Sequence, residues 1–107
     1  MDYMIKCEIQ YPEIVMKQAK LETGYFTSQI YVEQNNLFGL KYAYTRPTTA
    51  HDRNRSNRSA IYHNWKLSVI DYMIFQKRYY SGGDYYRFLD RVYAEDTLYT
   101  KKLRMIP

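Results

Sequence analysis

The sequence contains very few of the side chains that form disulfides or bind metals. Its 107 residues include one cysteine, Cys7, and two histidines, His51 and His63. A single cysteine excludes an internal disulfide and a cysteine-rich metal site. With only two histidines besides, no convincing zinc-ligand set can be assembled. We therefore expect a protein that works without a metal ion or another cofactor.

Long apolar runs are also missing. No stretch approaches the roughly 18 consecutive apolar residues that a membrane-spanning helix needs. Near the N-terminus, Asp2, Lys6 and Glu8 interrupt any apolar core of the kind that a signal peptide needs. The sequence thus predicts no membrane span, and it displays no signal peptide of its own.

Acidic residues are outnumbered by basic ones. Sixteen Lys and Arg residues against 11 Asp and Glu residues give a net charge of +5. This charge favours an acidic partner, such as a cell-wall polymer, a nucleic acid or an anionic membrane. Four arginines, from Arg46 to Arg58, are opposed only by Asp52. Clustered arginines can bind phosphate, but we interpret this segment as a solvated hairpin tip and do not expect nucleic acid as the partner.

Tyrosine, by contrast, is abundant, with 14 residues in the chain. Its ring stacks while its hydroxyl forms hydrogen bonds, so it lines polar grooves well. It also fills cores and surfaces, and composition alone therefore identifies no ligand. The length suits one hydrophobic core, and we expect residues 1–107 to form a single domain and a monomer.

The pattern of apolar residues, caps and breaks predicts a mostly helical chain. Pro12 and Gly24 fit the start and the stop of one helix, and Asn64 fits the cap of a long, buried one. Residues 42–62 are polar in the middle, which predicts a β-hairpin with a long mobile tip. The expected fold class is α+β, predominantly helical. Three of the predicted helices cover residues 12–23, 27–33 and 65–79. A fourth is capped by Asp84 and has Phe88, Leu89 and Val92 on one face. A fifth is capped by Asp96 and runs to about residue 105.

Glu22 has an unusual position on the first of these helices. At about 100° per residue, its side chain falls between Ile14 and Val15 and away from Lys17 and Lys20. A helix normally places an apolar residue there. Two interpretations are open. The carboxylate either reaches water past the last helical turn or is a catalytic acid held in a half-apolar wall.

Several motifs together resemble the glucosaminidase family of peptidoglycan hydrolases, which is glycoside hydrolase family 73 and includes flagellar-hydrolase and autolysin type enzymes. The resemblance covers about residues 11–106 and implies a lysozyme-like fold, with a groove between a helical lobe and a small β-hairpin lobe. It also implies an endo-β-N-acetylglucosaminidase that acts on peptidoglycan in the cell envelope, in the periplasm or outside the cell. The motifs are PEIVMKQAKLETGYFTS, NNLFGLK, AIYHNWKLSVIDY and DYYRFLDRVYAEDTLYTKKL.

In this family, the glutamate that matches Glu22 is the general acid and the tyrosine that matches Tyr93 lines the catalytic site. Apolar neighbours and the negative end of a helix both raise a carboxyl pKa, as a general acid requires. The second catalytic group is open. Asp52 is the only acidic residue of the predicted hairpin, and the alternative is the substrate's own N-acetyl group, held by Tyr93. We favour the N-acetyl group, because a base in a mobile tip is poorly positioned.

Four further residues are candidate substrate contacts. Tyr25 and Phe26 directly follow the acid, Asn36 lies in the turn of the NNLFGLK motif, and Tyr62 lies where the predicted hairpin returns. We interpret Asp71 as a charge on a helix surface. Muramidase or lytic transglycosylase action on the same polymer remains an alternative activity, and a catalytically inactive wall-binding or assembly module remains an alternative class.

Overall fold

The computed structural model describes residues 1–93 and 98–107, with only the backbone at position 30. In this part of the chain, helices and one two-stranded antiparallel sheet follow each other, which confirms the predominantly helical α+β class. The elements are α1 (Asp2–Lys6), α2 (Pro12–Glu22), α3 (Gln29–Gln34), β1 (Asp52–Arg53), β2 (Ala60–Ile61), α4 (Trp65–Tyr79), α5 (Tyr85–Val92) and α6 (Tyr99–Arg104).

Local sequence explains most helix boundaries. Pro12 occupies the first turn of α2, where a backbone N–H would have no helical partner. The side chains of Asn64 and Asp84 cap α4 and α5 by accepting backbone N–H groups of the first turn. These predictions are confirmed, and Ser28 caps α3 in the same way. The predicted cap Asp96 lies outside the described residues, and α1 is a helix that the sequence analysis did not predict.

Helix α4 is largely buried, but its apolar residues are not all on the buried side. Tyr72 packs against Phe38 with 4.6 Å between ring centroids, and Phe75 packs against Phe88 at 5.8 Å. Several of its apolar residues are only half-buried, namely Leu67, Ile70, Met73 and Ile74. Polar residues with tertiary hydrogen bonds take their place, namely Ser68, Asp71 and Gln76.

Helix α5 presents Tyr85, Phe88 and Leu89 to the core. Val92 was expected on the same face, but it is 41% exposed, so that prediction is wrong. The next core position belongs to Tyr93, which lies four residues after Leu89 and therefore on the same side of the helix.

The hairpin is shorter than predicted. Two residue pairs form its ladder, Asp52 with Ile61 and Arg53 with Ala60. Between them, Asn54 closes a hydrogen-bonded turn: its N–H donates to the Ser59 carbonyl at 2.8 Å and its carbonyl accepts the Arg58 N–H at 2.8 Å. The predicted long tip is therefore a compact turn, and most of residues 42–51 run outside the ladder.

Asp71 ties the segment before the sheet to α4. Its side chain is fully buried and accepts hydrogen bonds from Arg46 Nη1 at 2.7 Å and from the Tyr62 hydroxyl at 2.5 Å. The interpretation of Asp71 as a surface charge is wrong, because these two partners compensate its burial. Arg46 likewise belongs to the interior and not to a solvated tip, since its side chain is 4% exposed.

The helices are short. Within the described ranges, none is long and apolar enough to cross a membrane.

Candidate active site

A groove of about 750 Å³ opens at the end of α2. Its walls are Glu22, residues 39–46, the α4 side chains of Phe75 and Tyr79, residues 91–93 and Tyr99. Chain segments that are distant in sequence thus meet around one carboxylate, the last residue of α2.

The helix ends at this carboxylate because of the residues that follow it. The buried Thr23 hydroxyl donates to the Ala19 carbonyl at 2.6 Å and accepts the Phe26 N–H at 2.8 Å. Gly24, Tyr25 and Phe26 all adopt positive φ angles, of 55°, 57° and 70°, a conformation that ends a right-handed helix. The chain turns away, and the Glu22 side chain extends into the groove.

The groove wall facing Glu22 is the turn of the NNLFGLK motif. Gly39 has a φ of 67°, and a Cβ atom built on it would lie 2.8 Å from Glu22 Oε2. Asn36 holds this turn: its Oδ1 accepts the N–H groups of Phe38 and Leu40 at 3.3 Å, and its Nδ2 donates to the Leu40 and Ala60 carbonyls at 3.0 Å. The carboxylate therefore lies directly against the backbone of Gly39, and the Cβ atom of any other residue there would collide with it.

The surroundings of Glu22 raise its carboxyl pKa above the ordinary value of 4.5. Its side chain is accessible from the groove, yet protein takes the place of much of the water around it. The resulting desolvation is the largest effect, while hydrogen bonding from Tyr99 and the charge of Lys41 act in the opposite direction. The net result favours the protonated form, which is the state of a general acid before it acts.

Two tyrosines accompany this carboxyl group. Tyr93, at the end of α5, stacks on Tyr99 with 5.6 Å between ring centroids. The Tyr93 hydroxyl oxygen is buried and has no hydrogen-bond partner among the described residues. Burial, and then the proximity of Tyr99 and of Glu22, raise its pKa well above the usual 10. Tyr93 thus keeps its proton, and the described part of the chain offers no acceptor for it.

Tyr99 is a site residue that the sequence analysis missed. It is mostly buried and lines the groove, and its hydroxyl lies beside Glu22, where hydrogen bonding from it lowers the pKa of the carboxyl group. It is the second tyrosine of the Tyr-Ala-x-Asp-x-x-Tyr run that begins at Tyr93. The same motif that indicated Tyr93 therefore also carried the signal for Tyr99.

The aromatic groove wall was missed as well. Tyr42 and Tyr44 lie 5.0 Å apart between ring centroids, and Tyr44 is 63% exposed. Their spacing of two residues places both side chains on one side of an extended segment, a pattern that the sequence KYAYT displays.

Two predicted substrate contacts are buried. Asn36 is fixed inside the turn described above, and Tyr62 is 1% exposed and bonded to Asp71. Neither side chain lines the groove around Glu22. Both side chains form internal hydrogen bonds and have little contact with solvent. We therefore replace their predicted role as substrate contacts with a structural one: Asn36 shapes the groove wall, and Tyr62 anchors the segment that contains Arg46.

The other two predicted contacts are exposed but do not line the groove around Glu22. Phe26 lines a second, smaller cavity of about 200 Å³ together with Met16, Tyr31 and Trp65. Tyr25, the residue before it, is 54% exposed. Stacking of sugar on these rings remains a prediction.

Asp52 also lies outside the lining of the groove. Its Oδ1 accepts the Arg53 N–H at 2.8 Å and lies 3.3 Å from Arg55 Nη2. The backbone hydrogen bond is the main reason why its carboxyl pKa is lowered, with further contributions from the nearby positive charges. Asp52 is a partly exposed, ionised surface carboxylate, and the structure does not bring it together with Glu22.

Among the described residues, no group of three or more His, Cys, Asp or Glu side chains could hold a metal.

Comparison with known proteins agrees with this geometry. The glucosaminidase family, described as mannosyl-glycoprotein endo-β-N-acetylglucosaminidase, matches residues 2–106. The match confirms the resemblance based on the motifs. No curated protein and no solved structure matches significantly.

Proposed function

The chain belongs to the glucosaminidase family of glycoside hydrolases, and we propose that it is an endo-β-N-acetylglucosaminidase that cleaves the glycan strands of peptidoglycan, with Glu22 as general acid. One observation carries this proposal. The carboxyl group of raised pKa lies in the wall of a groove large enough for a polymer segment, at the position that the family motif gives to the acid.

In the first step, the Glu22 carboxyl group donates its proton to the glycosidic oxygen while the bond from that oxygen to the anomeric carbon breaks. Glu22 becomes a carboxylate. The Tyr99 hydroxyl and the Lys41 ammonium group, both of which favour the charged form of Glu22, stabilise the anion that this step creates.

In our proposal, the second catalytic group comes from the substrate. The carbonyl oxygen of the N-acetyl group attacks the anomeric carbon and forms a cyclic oxazolinium ion. Water then opens this ring at the anomeric carbon and transfers a proton to Glu22, which restores the acid. The Tyr93 side chain lines the groove, and its hydroxyl has no hydrogen-bond partner among the described residues. This supports the assignment, because such a hydroxyl can donate a hydrogen bond to the acetamido group and hold it in place.

The groove also fits the proposed polymer. Exposed rings of Tyr44 and Tyr79 offer stacking surfaces for sugars. Lys41 and Arg91 add positive charge at the groove, which suits the carboxylates of peptidoglycan. A polymer of this kind places the working enzyme in the cell envelope, in the periplasm or outside the cell.

A second activity fits the same site. The described lining of the groove contains one carboxyl group, that of Glu22, and a lytic transglycosylase also needs only one. In that reaction the 6-hydroxyl group of muramic acid attacks instead of water, which gives an anhydro end.

The decisive experiment is digestion of purified peptidoglycan, with mass spectrometry of the new chain ends. Reducing N-acetylglucosamine ends are expected, and Glu22→Gln serves as the control. Reducing muramic ends would indicate a muramidase and anhydro ends a transglycosylase. No release would favour a binding module, and cleavage of a mannosyl glycopeptide without cleavage of peptidoglycan would overturn the substrate assignment.

A further inference from the structure

A series of buried hydrogen bonds crosses the core and ends at the groove. It begins at the backbone of Gln10, between α1 and α2, and its last hydroxyl, that of Tyr99, lies next to Glu22, which is the end of the series. All five side chains between these ends are buried. We call them the relay, and they are Gln76, Tyr85, Tyr72, Gln18 and Tyr99.

The backbone fixes the orientation of the first side chain. The Gln10 N–H can only donate, and it donates to Gln76 Oε1 at 2.9 Å. The Gln10 carbonyl can only accept, and it accepts from Gln76 Nε2 at 2.7 Å. The Gln76 amide is therefore assigned without ambiguity, and its Nε2 donates to the Tyr85 hydroxyl at 2.9 Å.

This orientation determines the direction of the remaining bonds. The Tyr85 hydroxyl accepts from Gln76, and the Tyr72 hydroxyl, 2.7 Å away, is the acceptor that the described contacts offer to the Tyr85 proton. Tyr72 in turn donates to Gln18 Oε1. Gln18 Nε2 then faces Tyr99 and donates to its hydroxyl at 3.1 Å. Burial raises the pKa of the Tyr72, Tyr85 and Tyr99 hydroxyls, so each one keeps its proton.

The direction of these bonds determines which group receives the Tyr99 proton. A hydroxyl group has one proton to donate. Because Gln18 donates to Tyr99, the Tyr99 proton is free for Glu22. If the Gln18 amide were reversed, its Oε1 would face Tyr99 and take that proton, and Glu22 would lose its donor.

We propose that the relay directs the Tyr99 proton onto the Glu22 carboxylate, and that Gln76, Tyr85, Tyr72, Gln18 and Tyr99 are positioning residues for the general acid. The inference rests on the proposed role of Glu22. It gives a function to polar side chains that occupy core positions, where apolar ones would otherwise pack.

The expected effect is on the acid itself. Donation to a carboxylate favours the charged form, so loss of the Tyr99 donor raises the carboxyl pKa further. A general acid works only while protonated, and the basic limb of the pH–rate profile therefore moves to higher pH. Other groups that face Glu22 or line its groove stay in place in every relay variant, namely Lys41, Tyr42, Tyr44, Arg46, Tyr79, Arg91 and Tyr93.

The test is direct titration of the Glu22 carboxyl carbon by NMR, with the signal assigned by its absence in Glu22→Gln. Tyr99→Phe should raise the pKa of Glu22. Tyr72→Phe keeps the ring volume and lies inside the core, and it should raise the same pKa by a smaller amount, because the Gln18 amide is then free to reverse. Tyr85→Phe interrupts the relay one step earlier and replaces Tyr72→Phe if that variant does not fold.

The matched control is Tyr86→Phe, on α5 outside the relay, which should leave the pKa of Glu22 unchanged. A folded Tyr72→Phe or Tyr85→Phe protein with the wild-type Glu22 pKa would overturn the relay, as would an unchanged pKa in Tyr99→Phe. The titration requires no activity. Failure to cleave peptidoglycan would therefore reject the proposed function and leave the titration to decide the relay. In an active enzyme, the basic limb of the pH–rate profile must shift in the same direction as the titrated pKa of Glu22.

Discussion

The Glu22 carboxylate lies against the backbone of Gly39, so closely that a Cβ atom at position 39 would approach Glu22 Oε2 to 2.8 Å. The side chain at the end of α2 and the turn after α3 are thus in direct contact, with no side chain between them. This contact removes water from one side of the carboxylate, and it is one physical source of the desolvation that raises the pKa of Glu22.

Gly39→Ala should therefore displace the carboxylate. The new methyl group meets Glu22 Oε2, and alanine at a φ of 67° adds strain of about 1–2 kcal/mol. We expect a large loss of turnover together with a moderate loss of stability, measured by peptidoglycan release and by denaturant unfolding.

The control for Gly39→Ala is Gly83→Ala, at a φ of 90° with nothing within 4 Å of the new Cβ atom. It imposes backbone strain without a clash at the site. Equal loss of turnover in the two variants, at equal stability, would show that the contact between Gly39 and Glu22 is unimportant for activity.

Glu22→Gln should abolish cleavage and remove the contribution of Glu22 to the dependence of stability on pH. The amide keeps the shape but has no acidic proton, so activity should fall by orders of magnitude. A raised carboxyl pKa means that the folded state binds the proton more tightly than the unfolded state. Glu22 therefore contributes stability below about its ordinary value of 4.5 and loses that contribution as the pH rises through the folded-state pKa.

Melting temperatures of both proteins at about pH 4 and pH 8 check this sign. The melting temperature of Glu22→Gln minus that of wild type should be higher at pH 8 than at pH 4. A variant that keeps most of its activity would reject Glu22 as the acid. If this difference in melting temperature were lower at pH 8 than at pH 4, the Glu22 carboxyl group could not be desolvated as described.

Helix boundaries were predictable because they depend on neighbours in sequence. Pro12, Asn64 and Asp84 each act on their own first helical turn. Asp71 was not predictable, because its burial is compensated by Arg46, which lies 25 positions away. Among the site residues, Glu22 could be found from its place on the helical wheel. Tyr99 acts through a contact between α2 and α6, which helical periodicity does not report, so only the motif that it shares with Tyr93 carried a signal for it.

Tyr93→Phe should reduce turnover and leave stability unchanged or slightly higher. The buried hydroxyl has no partner among the described residues, so its removal breaks no hydrogen bond that the structure describes, while the substrate loses a donor. Tyr62→Phe is the comparison, because its hydroxyl bonds to Asp71 and its loss should cost about 1–3 kcal/mol. Urea unfolding and initial rates distinguish the two. Normal turnover in Tyr93→Phe would assign that residue to packing alone.

Asp71→Asn should be strongly destabilising. The substitution leaves the Arg46 guanidinium group, 4% exposed, without its countercharge, and breaking a buried ion pair in this way typically costs about 3–5 kcal/mol. The double variant Arg46→Met with Asp71→Leu removes both charges and should regain much of this loss. Denaturant unfolding measures both effects, and a single variant as stable as wild type would show that the pair contributes nothing.

The last prediction concerns the second catalytic group. Asp52 is ionised, pairs with Arg55 at the surface and lies outside the groove lining, so Asp52→Asn should change both turnover and stability very little. If the substrate's N-acetyl group is the nucleophile, then glycan from which the acetyl groups have been removed should bind but react orders of magnitude more slowly. Glycan that has been chemically reacetylated is the matched control, and it should recover the original rate. A severe defect in Asp52→Asn, combined with normal cleavage of deacetylated glycan, would show instead that the hairpin moves over the groove and that Asp52 acts as the base.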